Sequence, residues 1–355
     1  MSDVFPDVLS GYGWNTSLEE DFTPYRTEGL TPARIVRVDR GRCEVVTGEG
    51  ALHADSRAVT APCTGDWAAV RGDRIEALLP RRTAIVRAEA ARTSRGQVLA
   101  ANVDTIVVTV PLADAISSDR LERLLALAWE SGARPVIALT KADLSPDPQA
   151  DRAEAESLAP GVEVFPVAAP SGEGMDALRA ALSGTVALLG TSGAGKSTLG
   201  NALLGSAVLR TGTVSTAQHG KGRHTTVSRE LVPLPGPGGG TLIDTPGLRG
   251  VGLHEAGAGL QQAFAEIEEL ARACRFADCA HDSEPGCAIQ RAIEDGELPE
   301  RRLASYRKLE REGRRAAARH DDRLRAVLHK ETINRQKAIS RHLRAVYGKD
   351  GGRQK

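Results

Sequence analysis

Gly190-Thr191-Ser192-Gly193-Ala194-Gly195-Lys196-Ser197 decides the reading of this chain. It fits G-x-x-x-x-G-K-[ST], follows an apolar strand at Val186–Leu189 and opens a helix expected over Thr198–Leu204. That strand–loop–helix context is what the phosphate-binding motif requires. Its glycines let backbone N–H groups converge on phosphate oxygens, and the helix N-terminus adds partial positive charge. Lys196 is placed to reach β- and γ-phosphates and the Ser197 hydroxyl to bind Mg²⁺, with Thr198 completing the nucleotide-contacting run. A chance glycine-rich turn would not carry strand and helix on either side.

Outward from the loop, the rhythm is strand, loop, helix. Thr105–Val110 is a continuous apolar run of the kind buried in parallel sheets. Leu121, Leu124, Leu125 and Ala128 repeat at i, i+3, i+4 and i+7, so an amphipathic helix follows. Further strands are expected at Val136–Leu139, Val162–Val167 and Thr241–Ile243. The alternation predicts a parallel sheet with helices on both faces. Upstream, short strands around Ile35–Val38, Cys43–Val46, Trp67–Val70 and Ile75 are punctuated by Arg40-Gly41, Gly48-Glu49-Gly50 and Gly72-Asp73. They indicate a small barrel; an OB-fold is the first choice, and an SH3-like barrel also fits. Residues 1–30, with Gly11, Gly13, Pro24 and Gly29, read as irregular with at most one short helix, and beyond 255 the chain reads as helical.

A phosphate loop does not choose a base. Thr140-Lys141-Ala142-Asp143 ends the Val136–Leu139 strand and is similar to the Asn-Lys-x-Asp signature of GTPases. Asp143 there can accept two hydrogen bonds from guanine N1–H and the 2-amino group, which adenine cannot offer. Thr140 departs from the usual Asn, but its hydroxyl can replace some of the Asn hydrogen bonds to neighbouring loops. Ala168–Gly174 follows the next strand and resembles the loop that contacts guanine O6. Asp244-Thr245-Pro246-Gly247 matches D-x-x-G, with Asp244 holding Mg²⁺ through water and the Gly247 N–H meeting the γ-phosphate. All lie at strand C-terminal ends, where open α/β sheets bind ligands. The base loops precede the phosphate loop, the reverse of ordinary GTPases, so the motif order is circularly permuted.

Cys274-x4-Cys279-x-His281-x5-Cys287 gathers four ligands in one short stretch. Three thiolates and one imidazole complete a tetrahedral shell with no open position, so one structural Zn²⁺ is expected. Cys43 and Cys63 read as ordinary barrel residues. The formal net charge is zero, which predicts no partner, but residues 300–355 carry 18 Lys/Arg against 7 Asp/Glu, a net of +11. Such a tail suits an anionic surface such as RNA, or simply a solvated helix. No apolar stretch approaches a membrane span, and the N-terminus MSDVFPDVLS lacks signal-peptide features. A cytoplasmic protein without membrane contact is the expectation.

These motifs together resemble the RsgA (YjeQ) family of circularly permuted small ribosomal subunit biogenesis GTPases. The likeness spans about residues 31–312 and includes Arg40–Thr47, Leu79–Thr83, Gln97–Asp104, Lys221-Gly222-Arg223-His224-Thr225-Thr226 and the cysteine cluster. It implies a multidomain α/β protein: an N-terminal extension (1–30), an OB-fold RNA-binding barrel (31–82), a permuted P-loop GTPase domain (83–252) and a helical zinc-binding domain with a basic tail (253–355). It implies binding of GTP and GDP with Mg²⁺, and of the 30S subunit and its 16S rRNA, by a monomer that hydrolyses GTP late in subunit maturation. Lys221–Thr226 looks like the switch facing the γ-phosphate, with Thr225 or Thr226 completing the Mg²⁺ shell. Leu248 stands where many GTPases have a water-orienting Gln. His224 is therefore the candidate to position water, alongside Lys196 and Thr225 as catalytic residues; alternatively His224 contacts RNA. The competing reading is a nucleotide-dependent rRNA-binding assembly factor with little catalysis of its own. A P-loop ATPase is disfavoured by Asp143.

Overall fold

The computed structural model describes residues 7–87, 97–209, 229–236, 240–244 and 257–318. Five strands form the barrel: β1 (Thr31–Asp39), β2 (Arg42–Thr47), β3 (Gly50–Asp55), β4 (Trp67–Arg71) and β5 (Arg74–Leu78). Their order is β1-β2-β3-β5-β4, and β4 pairs back onto β1, closing the barrel. The pairing of β3 with β5 is parallel and the others are antiparallel, the OB arrangement. Alternation explains both faces of β1. Ala33 and Ile35 point into the barrel with Cys43, Val45, Val70 and Ile75, whereas Val36 points outward into the main core.

What covers that outer face was not read from sequence. Residues 7–30 form two helices, α1 (Asp7–Gly11) and α2 (Thr16–Thr27), where at most one short helix was expected. The Asn15 side chain accepts from the Leu18 N–H at 3.1 Å and so caps α2. Trp14, Leu18 and Phe22 then recur at helical spacing and are buried. Trp14 meets Trp67 edge-on, 4.9 Å between centroids. The apolar stripe outweighs Pro24 and the glycines that suggested an irregular segment.

A hairpin of β6 (Ala84–Arg87) and β7 (Gln97–Ala101) leads into the second unit. Its strands are β8 (Thr105–Pro111), β9 (Arg134–Thr140), β10 (Val164–Val167), β11 (Thr185–Gly190), β12 (Glu230–Pro233) and β13 (Thr241–Asp244). The order is β10-β9-β8-β11-β13-β12, parallel except for β12. The helices are α3 (Ser118–Glu130), α4 (Pro148–Leu158), α5 (Met175–Ala181) and α6 (Lys196–Leu204). One face of the sheet (Val107, Val186, Leu188) packs on Leu178 of α5 and Leu199 and Leu203 of α6. The other (Ile106, Val108, Ala187, Leu189) packs on Leu121 and Leu125 of α3. Helix α6 begins two residues before the expected Thr198, and β10 two residues after the expected Val162.

The edge strand β12 also pairs with β1, at Glu230 opposite Arg37, so barrel and parallel sheet are one continuous sheet of 11 strands. Asn102 fastens the joint: its amide donates to the Gly65 carbonyl at 3.0 Å and accepts from the Arg82 N–H at 3.0 Å. Arg34 of β1 is buried there, 4.5 Å over the Trp67 ring and 2.9 Å from the Thr185 hydroxyl. Burial lowers its pKa to about 10, which leaves it charged at neutral pH.

The C-terminal helices are α7 (Ala258–Ala263), α8 (Ala265–Arg272), α9 (Ala288–Glu294) and α10 (Glu300–Ala317). They dock on α3 through buried charge. Arg302 reaches the fully buried Glu122 at 2.9 Å and Glu266 at 2.7 Å, and lies 4.1 Å over the Phe264 ring. Among the described residues no helix is long and apolar enough to cross a membrane.

Candidate functional site

The β11–α6 turn carries the phosphate loop. Gly190 lies against β8, and a Cβ there would stand 2.1 Å from the Thr109 hydroxyl. Gly195, at φ +78°, is the left-handed residue that launches α6, a conformation other residues rarely adopt. The Lys196 ammonium arches back over the loop, donating to the carbonyls of Gly190 at 2.8 Å and Thr191 at 2.6 Å. Ser197 and Thr198 occupy the first turn of α6. Ser192 and Gly193 are exposed at the crest, whereas Ala194 is buried beneath it.

Two strands away, β9 delivers Thr140-Lys141-Ala142-Asp143. Lys141 takes a left-handed conformation at φ 60°, and a tight turn over Ala142–Leu144 presents Asp143 to solvent. Thr140 is buried, and its hydroxyl donates to the Ala194 carbonyl at 2.8 Å. Base loop and phosphate loop are thereby tied directly. Beside them, the segment after β10 closes on itself: the Ala168 N–H donates to the Glu173 carbonyl at 3.0 Å and the Gly172 N–H to the Ala168 carbonyl at 2.9 Å. Asp244 ends β13, next to β11. The structure therefore brings the Thr140, Ala168 and Gly190 loops and the Asp244 end of β13 to one edge of the sheet. His224, Thr225, Thr226, Gly247 and Leu248 lie outside the described residues.

The second cluster is a knuckle between α8 and α9. Cys274, Cys279, His281 and Cys287 bring their ligand atoms within 4.8 Å of one another. The Cys274 sulfur is 3.9 Å from the Cys287 sulfur, and His281 Nδ1 is 3.5 Å and 3.6 Å from those two sulfurs. A tetrahedral Zn²⁺ site has S–S edges of about 3.8 Å and S–N edges of about 3.6 Å, so the donor set fits that ion. Glu284, unmarked in the sequence reading, holds the knuckle: its carboxylate accepts from the N–H groups of Ala280 and Asp282, both at 2.9 Å. Backbone N–H donors, its own first and then that of Ala280, keep this carboxyl below the usual range. The Gln290 amide donates to the His281 carbonyl from α9. Cys43 and Cys63 are buried in or beside the barrel, and burial pushes the Cys63 thiol up to about 12.

A G-x-x-x-x-G-K-S turn that follows the Thr140 and Ala168 loops in the chain, on a parallel sheet joined to a five-stranded barrel, defines a circularly permuted P-loop GTPase fold. Solved structures agree on that fold. YjeQ from Thermotoga maritima is 23% identical with a TM-score of 0.59, covering 80% of this chain and 98% of that one. YloQ, a circularly permuted GTPase, is 22% identical with a TM-score of 0.57, covering 80% and 95%. The RsgA GTPase family matches residues 78–254. The small ribosomal subunit biogenesis GTPase RsgA of Streptomyces coelicolor is 55% identical, covering 97% of this chain and 96% of that protein. That of Syntrophotalea carbinolica is 43% identical, covering 83% and 87%. The chain belongs to the RsgA GTPase family.

Proposed function

We propose that this chain, a GTP-hydrolysing member of its family, binds the small (30S) ribosomal subunit and converts GTP to GDP and phosphate during late subunit maturation. The observation that carries the reading is the Thr140–Ala194 hydrogen bond, which locks a base-reading turn to a phosphate loop at one sheet edge. Asp143 would accept from the guanine edge with Lys141 along the base plane. The N–H groups of Gly190–Ser197 would cradle phosphates, and Lys196 would exchange its two carbonyl partners for phosphate oxygens. Ser197 and Thr225 would ligate Mg²⁺, with Asp244 acting through water. Mg²⁺ supplies charge neutralisation on the transferred phosphoryl group. His224 would position the attacking water, since Leu248 has no polar atom for that task.

Cys274, Cys279, His281 and Cys287 would hold one zinc ion as a structural clamp, all four positions being protein ligands. Small-subunit biogenesis GTPase is the printed name of the relatives. Extending it to this chain makes the barrel and C-terminal domain the surfaces for 16S rRNA. We keep the divisions 1–30, 31–82, 83–252 and 253–355, a monomeric state and a cytoplasmic location as parts of the same proposal.

The test has two arms. Lys196→Ala should abolish hydrolysis in a folded protein, because it removes the charge facing the phosphates. Wild type should co-sediment with 30S and not 50S particles, more strongly with a GTP analogue than with GDP. Nucleotide-gated 30S binding without measurable turnover, alone or with 30S, would instead favour a binding-only assembly factor, the reading that Leu248 suggests.

A further inference from the structure

The exposed side of α10 is a line of cations. Arg301, Ala304, Lys308, Arg311 and Arg315 are exposed, while Arg302, Leu303, Ser305, Leu309, Gly313 and Ala316 are buried. Spacings of three, four and seven residues put the exposed set on one helical stripe. Two of its members are engaged: Arg301 reaches Glu122 at 3.3 Å and Lys308 reaches Asp119 at 2.8 Å. Arg311 and Arg315 have no ion pair or side-chain hydrogen bond among the described residues. Four residues of helical rise separate them by about 6 Å.

We infer that Arg311 and Arg315 form a phosphodiester-binding face for structured RNA, a site that rests on the ribosomal reading above. The helix is a rigid mount, because Arg302 is fastened to Glu122 and Glu266 beneath it. Guanidinium groups suit phosphate better than ammonium groups, through paired N–H donors and weaker hydration. The stripe contains no large apolar residue, so it lacks the hydrophobic face with which an amphipathic helix enters a membrane. Positive charge also continues in the sequence beyond it: residues 319–355 carry 11 Lys/Arg against 4 Asp/Glu.

The experiment compares wild type, Arg311→Ala/Arg315→Ala and Arg311→Lys/Arg315→Lys full-length proteins. Affinity for purified 30S subunits is measured across a potassium chloride series with a GTP analogue. Alanine is the best helix former, so α10 should stay folded. The alanine variant should bind several-fold more weakly, with its slope of log affinity against log salt reduced by roughly 0.7–0.9 per lost phosphate contact. The lysine variant should retain most of the slope. Equal affinity and slope for wild type and alanine variant would overturn the site. Weaker binding at unchanged slope would overturn it too, by pointing to a ribosomal protein. Loss of binding to anionic vesicles with unchanged 30S binding would assign the face to lipid. If wild type itself binds no 30S in any nucleotide state, the ribosomal reading fails first, a separate result.

Discussion

The hydroxyl of Thr140 donates to the carbonyl of Ala194 at 2.8 Å, across 54 residues of sequence. It also lies 3.4 Å from the Val110 carbonyl, and the Thr140 carbonyl accepts from the Leu112 N–H at 2.8 Å. One side chain thus fixes the base turn relative to the phosphate loop. Thr140→Val keeps the shape and strands a buried carbonyl, a loss of about 1–3 kcal/mol. GTP and GDP affinity should both fall, with the preference for guanine over adenine unchanged. Thr140→Ser should restore affinity. Titration with labelled nucleotides checks this, and an unaffected Val variant would show that the contact does not organise the site.

Asp143 carries the opposite expectation, a change of preference. Asp143→Asn turns one of its two acceptor atoms into a donor. GTP affinity should drop and xanthosine triphosphate should become the better ligand, because its C2 carbonyl accepts where guanine's amino group donates. Competition among GTP, ATP and XTP reads the outcome. Wild type binding ATP as tightly as GTP would remove the guanine assignment altogether.

For the knuckle, Cys279→Ser should reduce zinc content from one ion per chain and loosen α8–α10, since metal binding and local folding are coupled. Guanine nucleotide affinity should hardly change, because the base and phosphate loops are built on other elements. Elemental analysis with amide exchange measures both effects. Zinc-free protein from reducing, chelator-free purification would count against the site.

The C-terminal domain's anchor yields a stability prediction. Arg302→Met leaves Glu122 buried without its closest partner, and such a break costs about 3–5 kcal/mol. Combining it with Glu122→Leu should recover much of the loss, because no charge then remains buried at the junction. Chemical denaturation of the two variants distinguishes them; equal destabilisation would mean that packing, not charge, holds α10.

How far the sequence carries depends on where the information lies. The Gly190–Ser197 turn, the Thr140–Asp143 turn and the Cys274–Cys287 cluster are contiguous motifs, so their places after β11, after β9 and in one knuckle were legible from spacing alone. The strands β8, β9 and β11 were legible because burial on both faces demands continuous apolar runs. Glu122 and Arg302 were not, because a pair separated by 180 residues leaves no local pattern. The length of helix α2 was not legible because Pro24 and the nearby glycines argued for irregular chain, while Leu18 and Phe22 are buried in a core shared with distant residues such as Val36, Val46 and Trp67. The four-residue β12 carries too short a pattern to stand out, and its role as the bridge between sheet and barrel is purely tertiary.

The last prediction concerns the step that Leu248 leaves open. An apolar side chain cannot orient water, so the isolated protein should hydrolyse GTP slowly and 30S subunits should raise its turnover strongly. If His224 supplies the missing contact, His224→Ala should lose most of the stimulated rate, since one acid–base or positioning contact contributes about 10²–10⁴. GTP affinity should be retained, because the imidazole would act near the transition state and not on the ground state. The measurement is single-turnover hydrolysis with saturating 30S, with co-sedimentation of the variant as control. Normal binding together with a full stimulated rate would exclude His224 and leave backbone groups or the ribosome to position the water. Failure to bind 30S would instead make His224 an RNA contact, the alternative its place among Lys221, Arg223 and Thr225 also suggests.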